Sequence, residues 1–103
     1  MKKAELLAHA QPHYDEDQVL ELDHAADFAT EKHKGQKRKS GEDYIIHPLS
    51  VADTLIEWGM DIDTVLAGVL HDTVEDTDAT LEDIENLFGH DVAFLVDGVT
   101  KVS

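Results

Sequence analysis

The segment that most constrains the fold is a predominantly apolar stretch in the middle of the chain, residues 62–70 (IDTVLAGVL). Its apolar residues have helical spacing but leave almost no polar face, so the helix needs neighbours on most sides. Ala67 and Gly68 are small and allow another helix to approach closely. The stretch therefore predicts a central helix enclosed by a bundle. Its large apolar residues are Ile62, Val65, Leu66, Val69 and Leu70.

Two helices are predicted before this segment. The first runs from about residue 17 to residue 33 and ends before Gly35, with apolar residues on one face. The second has Pro48 at its first position and Gly59 at its C-terminal cap, the usual places for these residues. Asp61 or Asp63 can then cap the central helix.

Two helices are predicted after it. Thr80 and Asp83 form a capping arrangement, and Gly89 closes the helix that follows. A last apolar segment, residues 92–102, completes five helical segments without an alternating strand pattern. We therefore expect an all-α, bundle-like domain. The predicted core comprises Leu55, Val65, Leu66, Val69, Leu70, Ile84 and Leu87.

Composition excludes several classes of function. The chain has 103 residues, enough for one domain, and a formal net charge of −15. This charge disfavours binding to DNA, RNA or an anionic membrane, all of which need clustered Lys and Arg. The absence of Cys excludes disulfides, thiolate catalysis and Cys-ligated zinc. With no apolar run of membrane-spanning length, a cytoplasmic protein is the expectation.

The central helix leads directly into four ionisable residues, His71, Asp72, Glu75 and Asp76. On a continuing helix they project near one end, where carboxylates oppose the negative end of the helix dipole. A divalent cation would compensate them with imidazole and carboxylate ligands. The alternative is a solvated acidic helix end, and spacing alone does not decide between the two.

His47 is the natural third ligand, because it lies at or near the start of a helix and Pro48 restricts the backbone beside it. An N-capping or partly buried histidine is the alternative. The remaining histidines have no partner at ligand-like spacing, and we predict them at the surface. They are His9, His13, His24, His33 and His90.

A basic loop, residues 35–44, separates the first two predicted helices. Lys37, Arg38 and Lys39 are consecutive and Lys34 precedes them, so four of the eight basic residues fall within a short stretch of an acidic chain. The alternatives are a solvated loop and an anion site, and the local concentration of positive charge favours the second.

Three blocks of the sequence closely resemble one family. They are RKSGEDYIIHP (residues 38–48), AGVLHDTVEDT (residues 67–77) and FG with VDGVTK (residues 88–89 and 96–101). In order and spacing they resemble the N-terminal hydrolase domain of the RelA/SpoT homologues, which make and degrade the alarmone (p)ppGpp. This domain is a member of the all-α HD phosphohydrolase superfamily, and the resemblance runs from about residue 16 to the end.

The resemblance implies an activity and a site. The family's hydrolase uses Mn²⁺ to cleave the 3′-pyrophosphate of (p)ppGpp, giving GDP or GTP and pyrophosphate. The matching residues here are His47, His71 and Asp72 as metal ligands, Glu75 and Asp76 as the catalytic pair, and Arg38, Lys39 and Ser40 as substrate-binding residues.

The resemblance also implies an incomplete set of ligands. The family's fourth metal ligand is an Asp on a later helix, and neither Asp91 nor Asp97 matches it. We therefore expect residues 1–103 to be the N-terminal portion of an HD-type (p)ppGpp hydrolase domain. Apolar surface on the last segment, at Phe94, Leu95 and Val99, is then expected to be exposed and to favour association of copies into a homo-oligomer.

Two further functions remain open. The first is a catalytically incompetent HD module with a nucleotide-binding, regulatory or purely structural role. The second is an HD phosphohydrolase that acts on another nucleotide, which the RKSG block at residues 38–41 disfavours.

Overall fold

A computed structural model describes residues 1–102 and contains six helices, without a β-strand in that range. This confirms the predicted all-α class. The helices are α1 (Lys3–Ala10), α2 (Glu16–Lys32), α3 (Ile46–Glu57), α4 (Ile62–Asp76), α5 (Leu81–Phe88) and α6 (His90–Val102). The five predicted helical segments correspond to α2–α6.

Helix α4 is the centre of the bundle, as the apolar segment predicts. It packs against α2, α3 and α6. Val65, Leu66, Val69 and Leu70 are fully buried. The small residue Gly68 brings α3 close: a Cβ added there would lie 2.7 Å from Leu55 Cδ1.

Side-chain caps stabilise the starts of α2, α4 and α5. Asp61 Oδ2 accepts from the backbone N–H of Thr64 at 3.3 Å at the start of α4. Thr80 and Asp83 bond each other's backbone N–H at the start of α5, at 3.1 and 3.0 Å. The predicted caps of α4 and α5 are thus confirmed, and each satisfies backbone donors that the helix leaves unpaired. Asp15 and Gln18 cap α2 in the same reciprocal way.

Helix α1 was not predicted from the sequence. With eight residues it is too short to be stable alone, so it depends on packing. Leu6 and Ala10 are fully buried in the common core. Two polar contacts hold its outer face: Lys3 Nζ lies 2.8 Å from carboxylate oxygens of Asp23 and Asp27, and His9 Nδ1 lies 2.7 Å from Asp53 Oδ1.

The predicted core needs one correction. Leu87 is 61% exposed, whereas Ile84 on the same helix is fully buried. Leu81 and Phe88, which pack against the core with Ile84, lie on one side of it around the α5 axis, whereas Leu87 lies on the other side. Leu55 is partly buried and packs against the core.

The predicted exposed apolar surface is present on α6. Phe94, Leu95 and Val99 are 62%, 37% and 40% exposed. Association of copies through this surface stays a prediction. None of the helices formed by residues 1–102 is both long enough and apolar enough to cross a bilayer.

Candidate metal and anion site

Three predicted ligands meet where the start of α3 faces the C-terminal half of α4. His47 is the second residue of α3, one position inside the helix rather than at its cap. His71 and Asp72 lie on α4, which continues to Asp76 as predicted. Asp72 Oδ1 is 2.9 Å from His71 Nε2, and Asp72 Oδ2 is 3.9 Å from His47 Nε2. The carboxylate of Asp72 therefore lies between the two imidazoles.

Asp72 is a buried carboxylate that stays ionised. It is 6% exposed, and burial alone would raise its pKa. Hydrogen bonds from His71 and Tyr44, together with the nearby His47, outweigh burial, so the pKa of Asp72 is lowered. The site thus keeps a negative charge in a place that water barely reaches.

The hydrogen bond to Gly68 determines which nitrogen of His71 faces the site. Its Nδ1 lies 2.9 Å from the Gly68 carbonyl oxygen, which can only accept, so Nδ1 carries a proton. Nε2 then either shares a proton with Asp72 or offers a lone pair to a cation. Without a cation, the hydrogen bond to Asp72 raises the pKa of His71 against the effect of burial.

These residues fit a divalent cation in chemistry, and in part in geometry. Two imidazoles and a carboxylate form a nitrogen and oxygen donor set for a transition metal, and the Nδ1–H bond to a carbonyl is the usual support of a metal-ligating histidine. His71 and Asp72 already present adjacent donor atoms. Within residues 1–102, however, no group of three His, Asp or Glu is close enough to hold a metal ion. Shared ligation therefore requires the His47 side chain to move towards Asp72.

Glu75 and Asp76 lie at the end of α4, one turn beyond His71 and Asp72. Both are exposed, unlike Asp72. The charge of Glu75 contributes to the raised pKa of His71, so its carboxylate is close to the site. Both carboxylates are therefore open to solvent at the end of α4.

The basic loop is a tight reversal of the chain between α2 and α3. An isolated antiparallel bridge pairs Lys37 with Asp43, and the Arg38 N–H donates to the Glu42 carbonyl at 2.8 Å. Gly41 has a φ of +91°, which a residue with a side chain adopts only with strain. The loop forms a cavity of about 530 Å³ whose lining comprises Lys37, Arg38, Lys39, Ser40, Glu42 and Tyr44.

The cationic side chains that line this cavity differ in whether they are free to bind an anion. Lys37 is neutralised by Asp43, with Nζ and Oδ1 2.5 Å apart. Arg38 and Lys39 are exposed and form no ion pair with another residue of the described range 1–102. Ser40 donates to Glu42 Oε1 at 3.3 Å. The loop therefore keeps two cationic side chains available to an anion.

Tyr44 connects the basic loop to Asp72, and sequence analysis missed it. Its hydroxyl donates to Asp72 Oδ2 at 2.8 Å, and the same residue lines the loop cavity. Burial, followed by the hydrogen bond to Asp72, raises the pKa of Tyr44 to about 12, and the positive charge of Arg38 opposes this shift. The only signal in the sequence was its position at the end of the basic loop, three residues before His47.

The prediction that His33 lies at the surface is wrong. His33 is 2% exposed, next to the end of α2. It follows Ala26 and Ala29 at helical spacing, so it continues the buried face of α2. That periodicity was a usable signal. His9, His13, His24 and His90 are exposed, as predicted.

The chain is similar to several long enzymes over most of its own length. It is 55% identical over 97 residues to guanosine-3′,5′-bis(diphosphate) 3′-pyrophosphohydrolase of Aquifex aeolicus, and the matched region covers 94% of this chain and 13% of that protein. It is 49% identical over 92 residues to the bifunctional (p)ppGpp synthase/hydrolase SpoT of Escherichia coli, covering 89% and 13%. A GTP pyrophosphokinase of Streptomyces coelicolor is 54% identical over 84 residues, covering 82% and 10%.

These relatives extend far beyond the matched region, since this chain spans only about an eighth of their length. Their names include a hydrolase, a synthase/hydrolase and a pyrophosphokinase, so similarity alone does not select one reaction. The match to the HD domain family is more direct because it covers residues 25–103. That range includes the basic loop, Tyr44 and every predicted ligand. The chain belongs to the HD domain family, and its sequence places it close to the (p)ppGpp hydrolases of the RelA/SpoT type.

Proposed function

We propose that this chain carries the site of a metal-dependent (p)ppGpp 3′-pyrophosphohydrolase. The observation that supports this best is the placement of Asp72. Its buried carboxylate faces two imidazoles and accepts a hydrogen bond from Tyr44, which also lines the cavity of the basic loop. A cation site and an anion site therefore adjoin at one residue.

In this proposal His47, His71 and Asp72 hold a divalent cation, with Mn²⁺ as its identity. When bound, the cation polarises a phosphoryl oxygen and acidifies water, the two effects such ions supply in hydrolases. The donor set fits Mn²⁺, although it does not select Mn²⁺ among transition metals.

Arg38, Lys39 and Ser40 bind the phosphates of the substrate. A tetra- or pentaphosphate is repelled by a chain of net charge −15, so binding needs a local excess of positive charge. Arg38 and Lys39 supply it from the exposed face of the loop cavity, and the Ser40 hydroxyl is a neutral donor beside them. Charge-assisted hydrogen bonds of this kind also orient the pyrophosphate towards the cation ligands.

Glu75 and Asp76 move the protons. Water attacks the phosphorus attached to the ribose 3′ oxygen. The bond between this phosphorus and the 3′ oxygen breaks, and pyrophosphate leaves. The carboxylate pair accepts the proton that the water releases and returns one to the 3′ oxygen, which gives GDP or GTP with a free hydroxyl. Their exposure at the end of α4 leaves them accessible to a bound substrate.

One observation favours a second candidate, a nucleotide-binding module without catalysis. No three ligand side chains within residues 1–102 are close enough to share a cation, whereas the loop cavity is already formed. In that case the chain binds the polyphosphate through Arg38 and Lys39 and leaves it intact.

Pyrophosphate release and nucleotide binding separate the two candidates. We would incubate the chain with ppGpp and Mn²⁺, measure pyrophosphate, and measure ppGpp affinity by calorimetry. Hydrolysis that is lost in His71→Ala and in Asp76→Asn supports the enzyme. Binding without release in every protein supports the module.

Lys34→Ala is the matched control for Arg38→Ala. Both remove one positive charge, but Lys34 does not line the loop cavity. We expect Arg38→Ala to weaken ppGpp binding and to flatten its dependence on salt, and Lys34→Ala to do neither. Equal loss in both variants would mean that only overall charge matters, and the assigned anion site would be wrong.

A further inference from the structure

His33 is a buried histidine that the proposed mechanism does not use. Its Nδ1 lies 3.0 Å from Gln36 Oε1, and Gln36 Nε2 donates to the Asp76 carbonyl oxygen at 3.0 Å. Because that carbonyl can only accept, the amide of Gln36 has its oxygen towards His33, and His33 Nδ1 carries the proton. The pair thus joins the end of α2 to the end of α4.

The other nitrogen of His33, Nε2, is also buried. Nε2 is enclosed and has no hydrogen-bond partner within residues 1–102. A buried acceptor without a partner costs stability, and an apolar side chain would avoid that cost. A residue that breaks a packing rule without local compensation is a candidate for a functional role.

The imidazole of His33 packs against Tyr44. The two ring centroids are 4.9 Å apart with the planes inclined by 38°, and the ring of His47 meets Tyr44 at 5.8 Å and 70°. Tyr44 is therefore flanked by two imidazoles. Its backbone N–H donates to the Gln36 carbonyl at 2.9 Å, which ties the base of the basic loop to the same support.

The hydroxyl of Tyr44, together with His71, orients the carboxylate of Asp72. It bonds Oδ2 at 2.8 Å, and this leaves Oδ1 facing Nε2 of His71 at 2.9 Å. If Tyr44 shifted, the carboxylate of Asp72 would lose one of the two contacts that fix its rotation. Partners of this kind orient metal ligands and are worth a large share of metal affinity.

We propose that His33 is a positioning residue for Asp72 and acts through Tyr44. The imidazole holds the Tyr44 ring, the Tyr44 hydroxyl turns Asp72, and Asp72 presents Oδ1 beside His71. The inference rests on the proposed function only where it makes Asp72 a cation ligand. Its structural part, the dependence of the Tyr44–Asp72 contact on His33, holds with or without a cation.

A double-mutant cycle on Mn²⁺ affinity tests the chain of contacts. We would titrate Mn²⁺ by electron paramagnetic resonance into the 103-residue chain and into Tyr44→Phe, His33→Ala and the double variant. Tyr44→Phe should lower affinity roughly 10- to 100-fold, the usual loss for a partner of a metal ligand, and His33→Ala, which acts through Tyr44, should lower it by up to the same factor. The double variant should lose no more Mn²⁺ affinity than the single variant with the larger loss, because both changes remove the same contact to Asp72. Losses that multiply would overturn the proposal.

Two controls separate positioning from general packing. His33→Phe keeps a planar ring against Tyr44, so its Mn²⁺ affinity should stay nearer to that of the unmodified chain than to that of His33→Ala. Tyr14→Phe removes a hydroxyl that bonds the Met60 carbonyl away from the site, and it should leave Mn²⁺ affinity unchanged. An affinity loss in Tyr14→Phe equal to that in Tyr44→Phe would overturn the proposal.

Crystal structures of the metal-free proteins provide a second test. In His33→Ala the contact between the Tyr44 hydroxyl and Asp72 should be broken, and in His33→Phe it should be kept. If it persists in His33→Ala, the positioning role is wrong. If the unmodified chain binds no Mn²⁺, the cation part of the proposed function fails, and the two crystal structures still decide the role of His33.

Discussion

The Nε2 atom of His71 lies 2.9 Å from Oδ1 of Asp72, although the two residues are neighbours on one helix. Successive residues of an α-helix project about 100° apart, so their side chains meet only by turning towards each other. Two polar contacts hold them there. The Gly68 carbonyl anchors His71, and the Tyr44 hydroxyl anchors Asp72. The pair is therefore arranged before any cation binds.

Replacing Asp72 by Asn should abolish strong cation binding. The amide keeps the size of the side chain but removes the charge between the two imidazoles. We expect Mn²⁺ affinity to fall at least about 100-fold, since partners of metal ligands alone are worth about 10- to 100-fold. Calorimetric titration measures the change. Asp91→Asn, an exposed carboxylate on α6, is the control and should not alter affinity. Unchanged binding in Asp72→Asn would remove it from the ligand set.

The contact between His9 and Asp53 should make the attachment of α1 depend on pH. The hydrogen bond to Asp53 raises the pKa of His9 above 6.5 in the folded protein. A raised pKa stabilises the fold below the unfolded value, and the stabilisation disappears as the pH rises through the folded value. As the pH rises above 6.5, the free energy of unfolding should therefore fall more steeply than in Asp53→Asn.

Urea unfolding at a series of pH values measures this difference. His24→Gln removes an exposed histidine from α2 and should keep the slope of the unmodified chain. Parallel pH profiles for the unmodified chain and Asp53→Asn would show that the His9–Asp53 contact does not contribute in solution.

Two apolar residues of α5 should differ sharply in their effect on stability. Ile84→Ala removes a fully buried side chain and should cost about 2–5 kcal/mol. Leu87 is 61% exposed, so Leu87→Ala should change stability by about 0.5 kcal/mol or less. Chemical denaturation of both variants compares them directly. A similar loss for both would place Leu87 in the core, as its helical spacing first predicted.

Two glycines near α6 should respond to Ala in opposite directions. Gly98 lies inside α6 with open space around its missing side chain, so Gly98→Ala should stabilise the protein by about 0.5–1 kcal/mol. Gly89 caps α5 with a φ of +98°, so Gly89→Ala should destabilise it by roughly 1–2 kcal/mol. Melting temperatures give both signs. A destabilised Gly98→Ala would mean that another surface covers this part of α6.

Local patterns predicted the helices that carry the site. The apolar stretch of α4 and the caps at Asp61 and Thr80 depend on contacts within four residues, and the backbone geometry of a helix alone determines them. The position of His71 and Asp72 near the end of this helix could be predicted because it also follows from helix geometry. The short α1 could not be predicted, because its stability comes from burying Leu6 and Ala10 against distant segments.

The sequence by itself determined the all-α class, the central position of α4, and the presence of His71, Asp72, Glu75 and Asp76 at one end of it. Tertiary structure decided what surrounds them. Tyr44 reaches Asp72 across 28 positions, and Gln36 reaches Asp76 across 40. Contacts at such separations depend on the relative placement of whole helices. The combined packing of the core determines that placement, and no local periodicity encodes it.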